Sequence, residues 1–401
     1  MKRIVVTGLG VLSSIGNSVP EFKEGLIEGR SGLKPINASR FDVSHRVYRN
    51  NSACTLDDGL FAELRACDET LLSEAAIRSI REALKDAGVE DWEEKKRTAG
   101  LCIGTSVGSN FPFMNWAREY AQGLPAVASH KTASFIAGNI AHTLGLRGPI
   151  STVSTACAAG TNSIGRACDQ IRNGRAEMMI AGGVDVFTDH TFSGFNSLMA
   201  ISRSLCKPFD RGRDGMMLGD AAAFVVLEEL GNARKRDATI YCEVLGYSTL
   251  NEAYHATSPT PDGSMAYRVM MEAVRYSDIE PGEVDYVNAH GTATRANDEM
   301  EIKAIARFAA KGPTYVSASK SMFGHTLGAA GSIEFVVCAL GLYHGFIPPT
   351  IHLEDTIADI GSDKLYFVKN KALFREYSVA ISNSFGFAGN MAAIVAKKYK
   401  Q

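Results

Sequence analysis

The sequence predicts a duplicated α/β protein, and three observations point there. Short apolar runs alternate with helical segments along the whole chain. No Pro/Ser-rich linker or low-complexity stretch divides it. The same succession of local features also occurs twice, once in each half. Strands alternating with helices imply mostly parallel sheets covered by helices.

The elements follow in order. "RIVVTGLG" (Arg3–Gly10) reads as a buried strand ending in a tight turn. "LLSEAAIRSIREALKDAGVE" has helical periodicity, with Gly88 as its C-cap. "AGLCIGT" is a strand, and "PISTVSTACAAG" passes from a strand into a helix that continues to about Arg172. "MMIAGGVDVF" and "AAAFVVLEE" are short buried strands.

The repeat runs through these elements. "EALKDAGVE" (82–90) resembles "EAVRYSDIE" (272–280). Each precedes a strand ending in Gly-Thr, at Gly104-Thr105 and Gly291-Thr292. Ala158-Ala159-Gly160 is answered by Ala329-Ala330-Gly331, and a further glycine follows each, at Gly174 and Gly345. The segments between, "TNSIGRACDQIRN" and "SIEFVVCALGLYH", both fit a helix leaving a tight turn. The expected division is near residue 240, giving halves 1–240 and 241–401.

Composition narrows the function. The 401 residues are 45% hydrophobic and 21% charged, as in ordinary globular proteins. A net charge of -2 gives no support for broad nucleic-acid binding, though a local basic patch for an acidic partner is compatible with it. No unbroken apolar run has the length of a membrane span. "MKRIVVTGLGVLSSIG" has two basic residues before an apolar stretch, but no A-x-A-like cleavage site, and its glycines suit a strand and turn better than a leader. The 8 cysteines include no C-x-x-C pair, so we expect reduced thiols of a cytoplasmic protein, most of them small core residues.

Cys157 is the exception, because "VSTACAAGTNSIG" surrounds it with small residues that let something approach. Just before a helix, it meets unpaired N–H groups that stabilise an anion and lower a thiol's pKa. Its own N–H could help hold an oxyanion. An inert buried thiol is the competing account. In the second half, His290 in "VNAHGTATRANDEME" and His325 in "SASKSMFGHTLGAAGSIE" each leave a buried strand among small residues, with Lys320 close before His325. Satisfied structural histidines and a snorkelling lysine are the alternatives. The histidines at 45, 130, 142, 190, 255, 344 and 352 lack such a setting and are expected to be structural. The spacing is not that of a metal site, but a thiol with two imidazole donors suits acyl transfer and enolate stabilisation.

In order, "VSTACAAG", "NAHGTATRANDEME", "SKSMFGHTLGAAGSIE" and "NSFGFAGN" resemble the signatures of elongating β-ketoacyl-acyl-carrier-protein synthases. The resemblance covers essentially the whole chain, from "VVTGLGVLSSIG" through "KPFDRGRDGMMLGDAAAFVVLEE" to the last strand. It implies the thiolase fold, a duplicated five-layer α-β-α-β-α architecture, usually as a homodimer. It implies that Cys157 takes an acyl group from a carrier's phosphopantetheine thioester. His290 and His325 would then stabilise the enolate formed as a malonyl-carrier loses carbon dioxide, and the carbanion would attack the acyl-Cys157 carbonyl. The N–H groups of Cys157 and Phe387 would form the oxyanion hole, with Phe387 also as a gate. Lys320 and Glu334 would orient His325 and its network. Thr292 and Thr294 would bind the pantetheine arm, and Val107 would line the acyl pocket. No metal or organic cofactor is implied.

Relatives separate on single residues. Starter-type synthases have Asn where His325 stands, and thiolases use a second, C-terminal cysteine, whereas the last one here is Cys338. Chain-length-factor partners lack the nucleophile that Cys157 would supply. A non-catalytic subunit of this kind remains the alternative, because "GFAGN" departs from the usual Gly-Phe-Gly-Gly-Thr-Asn loop. Ala388 stands where Gly is usual, which is strained if φ is positive there. "MAISRSLCKP" is shorter than usual, and "ELRACDETLLSE", near Arg65, is acidic where a basic docking helix is common. These departures fit polyketide or aryl-polyene synthesis as readily as fatty-acid synthesis, and allow a heterodimer with a related subunit. "ARKRD" (233–237) is a second docking candidate, though a solvated surface turn explains it better.

Overall fold

A computed structural model describes all residues except 1, 45–46, 67–70, 90–92, 94, 109–119, 124–131, 310–312, 358–363 and 401. His45, His130 and Cys67 therefore lie outside the described residues, as does the middle of the acidic stretch near Arg65.

Among the described residues, one 11-stranded sheet organises the molecule. Its strands are β1 (Ile4–Ser13), β2 (Gly100–Gly104), β3 (Ile150–Val153), β4 (Met178–Asp185) and β5 (Ala221–Glu229) in the first half. The second half supplies β6 (Cys242–Asn251), β7 (Tyr286–Asn288), β8 (Thr314–Ser317), β9 (Leu365–Phe367), β10 (Val379–Phe385) and β11 (Asn390–Lys397). The order β9-β8-β7-β10-β11-β6-β1-β5-β4-β2-β3 is symmetric about β6-β1, apart from the extra β9. Duplication is therefore visible in the topology: β1, β5, β4, β2 and β3 answer β6, β11, β10, β7 and β8.

Six helices repeat the same relation. They are α1 (Leu71–Asp86), α2 (Ala133–Leu144), α3 (Ala159–Arg172), α4 (Ser264–Tyr276), α5 (Arg295–Ala309) and α6 (Ala330–His344). β5 has a buried residue at nearly every position because it is covered on both faces. Its Phe224 and Val226 join Ile80 of α1 and Ile140 of α2 in one core. Its Ala223 and Val225 join Ile164 of α3 and Val336 of α6 in another. On the far side, Ile381 of β10 and Val395 of β11 pack with Val269 of α4 and Ile305 of α5. The two halves of the one sheet thus form separate layers, running helix, half-sheet, paired helices, half-sheet, helix, which is the thiolase fold. Each fully buried Leu, Ile or Phe in these cores contributes about 1.5–3 kcal/mol.

Two expectations change. "RIVVTGLG" does not end in a turn at Gly10, because β1 continues to Ser13. Its glycines serve close packing instead: a Cβ at Gly8 would lie 2.1 Å from the Ala83 carbonyl oxygen of α1, and one at Gly10 1.9 Å from that of Ser79. The sheet is also not mostly parallel. β2 pairs in parallel with β3 and β4, and β7 with β8 and β10, but β4-β5, β5-β1, β1-β6, β6-β11 and β11-β10 are antiparallel. The last strand of each half returns antiparallel beside its predecessor. β10 and β11 do so through a hairpin loop at 386–389, whereas uniform apolar runs suggested helix-linked crossovers throughout.

The small residues around Cys157 have a packing cause. α3 and α6 meet at their first turns, where a Cβ at Gly160 would lie 2.5 Å from Ser332 N and one at Gly331 2.2 Å from Thr161 Oγ1. The helical stretch Leu327–His344 is 18 residues long with mean hydropathy 1.4, long and apolar enough by composition to cross a membrane although Glu334 interrupts its apolar run. It is the central helix with its leading turn, and 89% of it is buried inside the protein.

Candidate active site

The two helix starts bring the halves' chemistry together. Cys157 sits in a 3-10 turn, Ala156–Ala158, directly before α3, with Ala156 at φ 49°. His325 precedes the matching turn, Leu327–Ala329, before α6. His290 follows β7. The sulfur and one nitrogen of each ring lie within 4.8 Å of one another. The two imidazoles meet edge-on, with centroids 5.4 Å apart, and Phe385 packs against His290.

Hydrogen bonds fix both tautomers. Leu327 N–H donates to His325 Nδ1 at 3.0 Å. Lys320 Nζ stands 3.2 Å from His290 Nδ1 and also donates to the His290 carbonyl at 2.7 Å and to Glu334 Oε1 at 2.5 Å. With Nδ1 of each ring receiving a donor, the proton of a neutral ring resides on Nε2. Burial, reinforced by the Lys320 charge, holds both histidines well below their ordinary pKa, so both are neutral N–H donors. This corrects the expected network. Lys320 and Glu334 are both fully buried, and Lys320 bonds to His290 rather than to His325. Its charge reaches His325 only through space. Burial raises the Glu334 carboxyl to about 7 against the pull of Lys320, and its Oε2 has no hydrogen-bond partner.

The thiol behaves differently from expectation as well. Burial pushes Cys157 up to about 11, although Lys320 and the N–H groups of Cys157 and Phe387 act in the opposite direction. The helix-start donors are present, but desolvation outweighs them. Alkylation of Cys157 by iodoacetamide should therefore rise about tenfold per pH unit above neutrality, following the thiolate fraction. Peptide mapping after timed alkylation measures this. A rate already level below about pH 8 would mean that the donors win.

A cavity of about 580 Å³ opens onto these groups, lined by Cys157, His290, Thr292, Thr294, His325 and Phe387 among others. The Thr292 and Thr294 hydroxyls lie 2.9 Å apart. Phe387 packs against Phe195, with centroids 5.8 Å apart. Its loop is pinned from behind. Ala388 N–H donates to the Ala256 carbonyl and Asn251 Nδ2 to the Ala388 carbonyl. Ala388 does adopt the left-handed conformation, φ 58°, so alanine is strained there by about 1 kcal/mol. Val107 is not on the cavity wall. It packs in an apolar cluster with Phe187, Phe192, Ile201 and Leu327. His255 lines the cavity too, and its Nδ1 accepts from Thr257 and Ser258 N–H, a local turn contact that keeps it structural.

Two of the buried carboxylates that the sequence reading leaves unassigned bear on the site. Glu301, inside the quoted "RANDEME", accepts from His290 and Gly291 N–H, each at 2.8 Å. Asp185 ends β4 and accepts from Thr105 Oγ1, Ser106 N, Val107 N and Gly328 N at 2.6–3.1 Å. It ties the first half to the turn that follows His325. An acidic residue inside the apolar run "MMIAGGVDVF" was the signal available for it. Asp185→Ala should leave these donors without an acceptor and cost about 3 kcal/mol. Denaturant titration checks this, and a loss below about 1 kcal/mol would show that water replaces the carboxylate.

A cysteine and two imidazole donors where the halves of a thiolase fold meet define the class: a thiolase-fold acyltransferase. Residues 1–233 match the family model for the beta-ketoacyl synthase N-terminal domain, and 241–354 match the C-terminal one. The chain is 37% identical to 3-oxoacyl-[acyl-carrier-protein] synthase 2 of Coxiella burnetii (strain RSA 493 / Nine Mile phase I), covering 99% of both proteins. It also matches the ishigamide ketosynthase/chain length factor structure, with TM-score 0.92, 35% identity and 100% of both chains covered. A third match is a type II PKS acyl-carrier protein in complex with its ketosynthase, with TM-score 0.88, 26% identity and 100% of both chains covered. The chain belongs to the beta-ketoacyl synthase family.

Proposed function

We propose that this chain catalyses decarboxylative condensation of a malonyl-carrier thioester with an acyl chain held on Cys157, in fatty-acid or polyketide-type synthesis. The observation that carries the reading is convergence on one sulfur. The Nε2–H groups of His290 and His325 face it from the second half, and the N–H groups of Cys157 and Phe387 bear on it from the first half and the C-terminal loop.

In the first step the Cys157 sulfur attacks the acyl thioester and the carrier thiol leaves, with the Cys157 and Phe387 N–H groups holding the oxyanion. The malonyl thioester carbonyl then lies against the two Nε2–H donors. As the carboxylate departs as carbon dioxide, negative charge develops on that oxygen and the donors stabilise it without transferring a proton. The carbanion attacks acyl-Cys157 and expels the thiolate. Lys320, with Glu334, holds His290 in its donor tautomer. Thr292 and Thr294 offer hydroxyls to the pantetheine amides, and Val107 shapes the acyl end only indirectly, through its cluster.

Partners and setting follow the same reading. Arg203 and Arg295 line the cavity, and we place an acidic carrier there. The earlier candidates suit it less: Arg65 donates to the Ser39 and Arg40 carbonyls, and Arg236 of "ARKRD" is engaged with Glu228 and the Ala87 carbonyl. β3 ends the sheet with Ile150 43% exposed, an edge suited to pairing with a second copy as a homodimer. The ketosynthase/chain length factor match favours a second reading of the assembly, a heterodimer with a related subunit. Halves divided near residue 240 and a cytoplasmic setting, where free thiols persist, complete the proposal.

The test is intact-protein mass spectrometry with a panel of acyl-carrier thioesters, followed by malonyl-carrier. We expect an adduct on Cys157 that malonyl-carrier discharges as a chain two carbons longer. No adduct from any donor, with folded protein and an active control synthase, would favour the non-catalytic subunit.

A further inference from the structure

By distance alone, Cys157, His290 and His325 could hold a metal ion, their ligand atoms lying within 4.8 Å of one another. A thiolate with two imidazoles suits Zn2+, Co2+ or Cu+, and the cavity gives an ion a way in. Their surroundings are set the other way. A metal-bound imidazole presents a bare nitrogen and keeps its proton on the other one, where it donates to a carboxylate or carbonyl. Here Nδ1 of both rings receives a donor instead, from Leu327 N–H and from Lys320 Nζ. The proton is therefore forced onto the nitrogen left to face the thiol. A cation arriving there meets two N–H groups, not two lone pairs. It also meets the Lys320 charge one ring away, fully buried and so poorly screened.

We propose that Lys320, together with the Leu327 N–H, excludes transition metals from the Cys157 site. Lys320 fits this role because it has three donors and three facing acceptors: Glu334 Oε1, the His290 carbonyl and His290 Nδ1. A neutral, non-donating side chain at 320 frees the His290 proton to move to Nδ1 and exposes a lone pair beside the sulfur. His325 stays locked, since its donor belongs to the backbone.

The experiment titrates Co2+ into the full chain and follows thiolate-to-cobalt charge-transfer absorption, with Cys157-alkylated protein as the blank. The readout is metal binding, so it is independent of whether the chain condenses acyl groups. Lys320→Met should bind Co2+ through Cys157 about 10- to 100-fold more tightly than the unsubstituted chain. Lys320→Arg keeps the charge and the donors and should not. Lys320→Met also strands the Glu334 carboxyl, so Lys320→Met/Glu334→Gln is measured beside it and should show the same gain. Equal affinity in the folded Met variants and the unsubstituted chain overturns the proposal. So does a Cys157-dependent band from the unsubstituted chain at micromolar Co2+.

Discussion

Cys157→Ala should abolish acyl-enzyme formation and lower condensation by about 10^4-fold or more, the scale on which enzymes lose rate with their nucleophile. The fold should hardly notice. The side chain lies in a short turn between Ala156 and Ala158, at the floor of a cavity, so its loss removes little packing. His290, His325, Lys320 and Glu334 are anchored to one another and to Leu327, not to the sulfur. Their donors still face the cavity in the variant. Slow release of carbon dioxide from malonyl-carrier should therefore persist within about tenfold while no longer chain forms. Mass spectrometry and product analysis read the two activities separately. An adduct on another residue, or condensation surviving in the variant, would move the nucleophile elsewhere. Loss of carbon dioxide release along with condensation would mean that the thiol itself takes part in enolate formation.

Much of this site was legible because the chain repeats itself. Gly160 and Gly331 mark the two helix starts that nearly touch, and the repeat in the sequence places them, with Cys157 and His325 just ahead. The recurring Gly174 and Gly345 lie at the ends of the paired helices, with φ 71° and 72°. What was hidden depends on burial and direction. Strand polarity was misjudged because a strand covered on both faces reads as a uniform apolar run whichever way its neighbour points. The Cys157 thiol feels two opposed influences, and a sequence reveals the helix-start donors but not the desolvation that opposes them. Lys320 was assigned to His325, its neighbour in the chain, and the fold turns it toward His290 instead. Asp185 collects its donors from two separate loops, and no local pattern announces that.

His325→Ala should split the reaction at its middle. Acyl transfer to Cys157 uses the sulfur and the N–H groups of Cys157 and Phe387, all of which remain, so the adduct should form at a rate within about tenfold of normal. Condensation needs the imidazole N–H at the malonyl carbonyl, and removing one such donor should slow discharge of the adduct about 10²- to 10³-fold. The substitution also strips Leu327 N–H, on a residue at φ 54°, of its acceptor. His325→Asn separates that structural loss from the chemical one. Its amide oxygen can accept from Leu327 while its NH2 donates into the cavity, so it should recover part of the lost rate. The pH profile supplies a second check. Burial lowers both histidines well below 6.5, and a group so lowered stays neutral until the pH falls well under that value. Condensation from preformed adduct should thus show no histidine titration between about pH 6.5 and 8, and no gain on protonation. Failure of His325→Ala to form the adduct would make His325 part of acyl transfer. A normal discharge rate would leave His290 as the donor that matters.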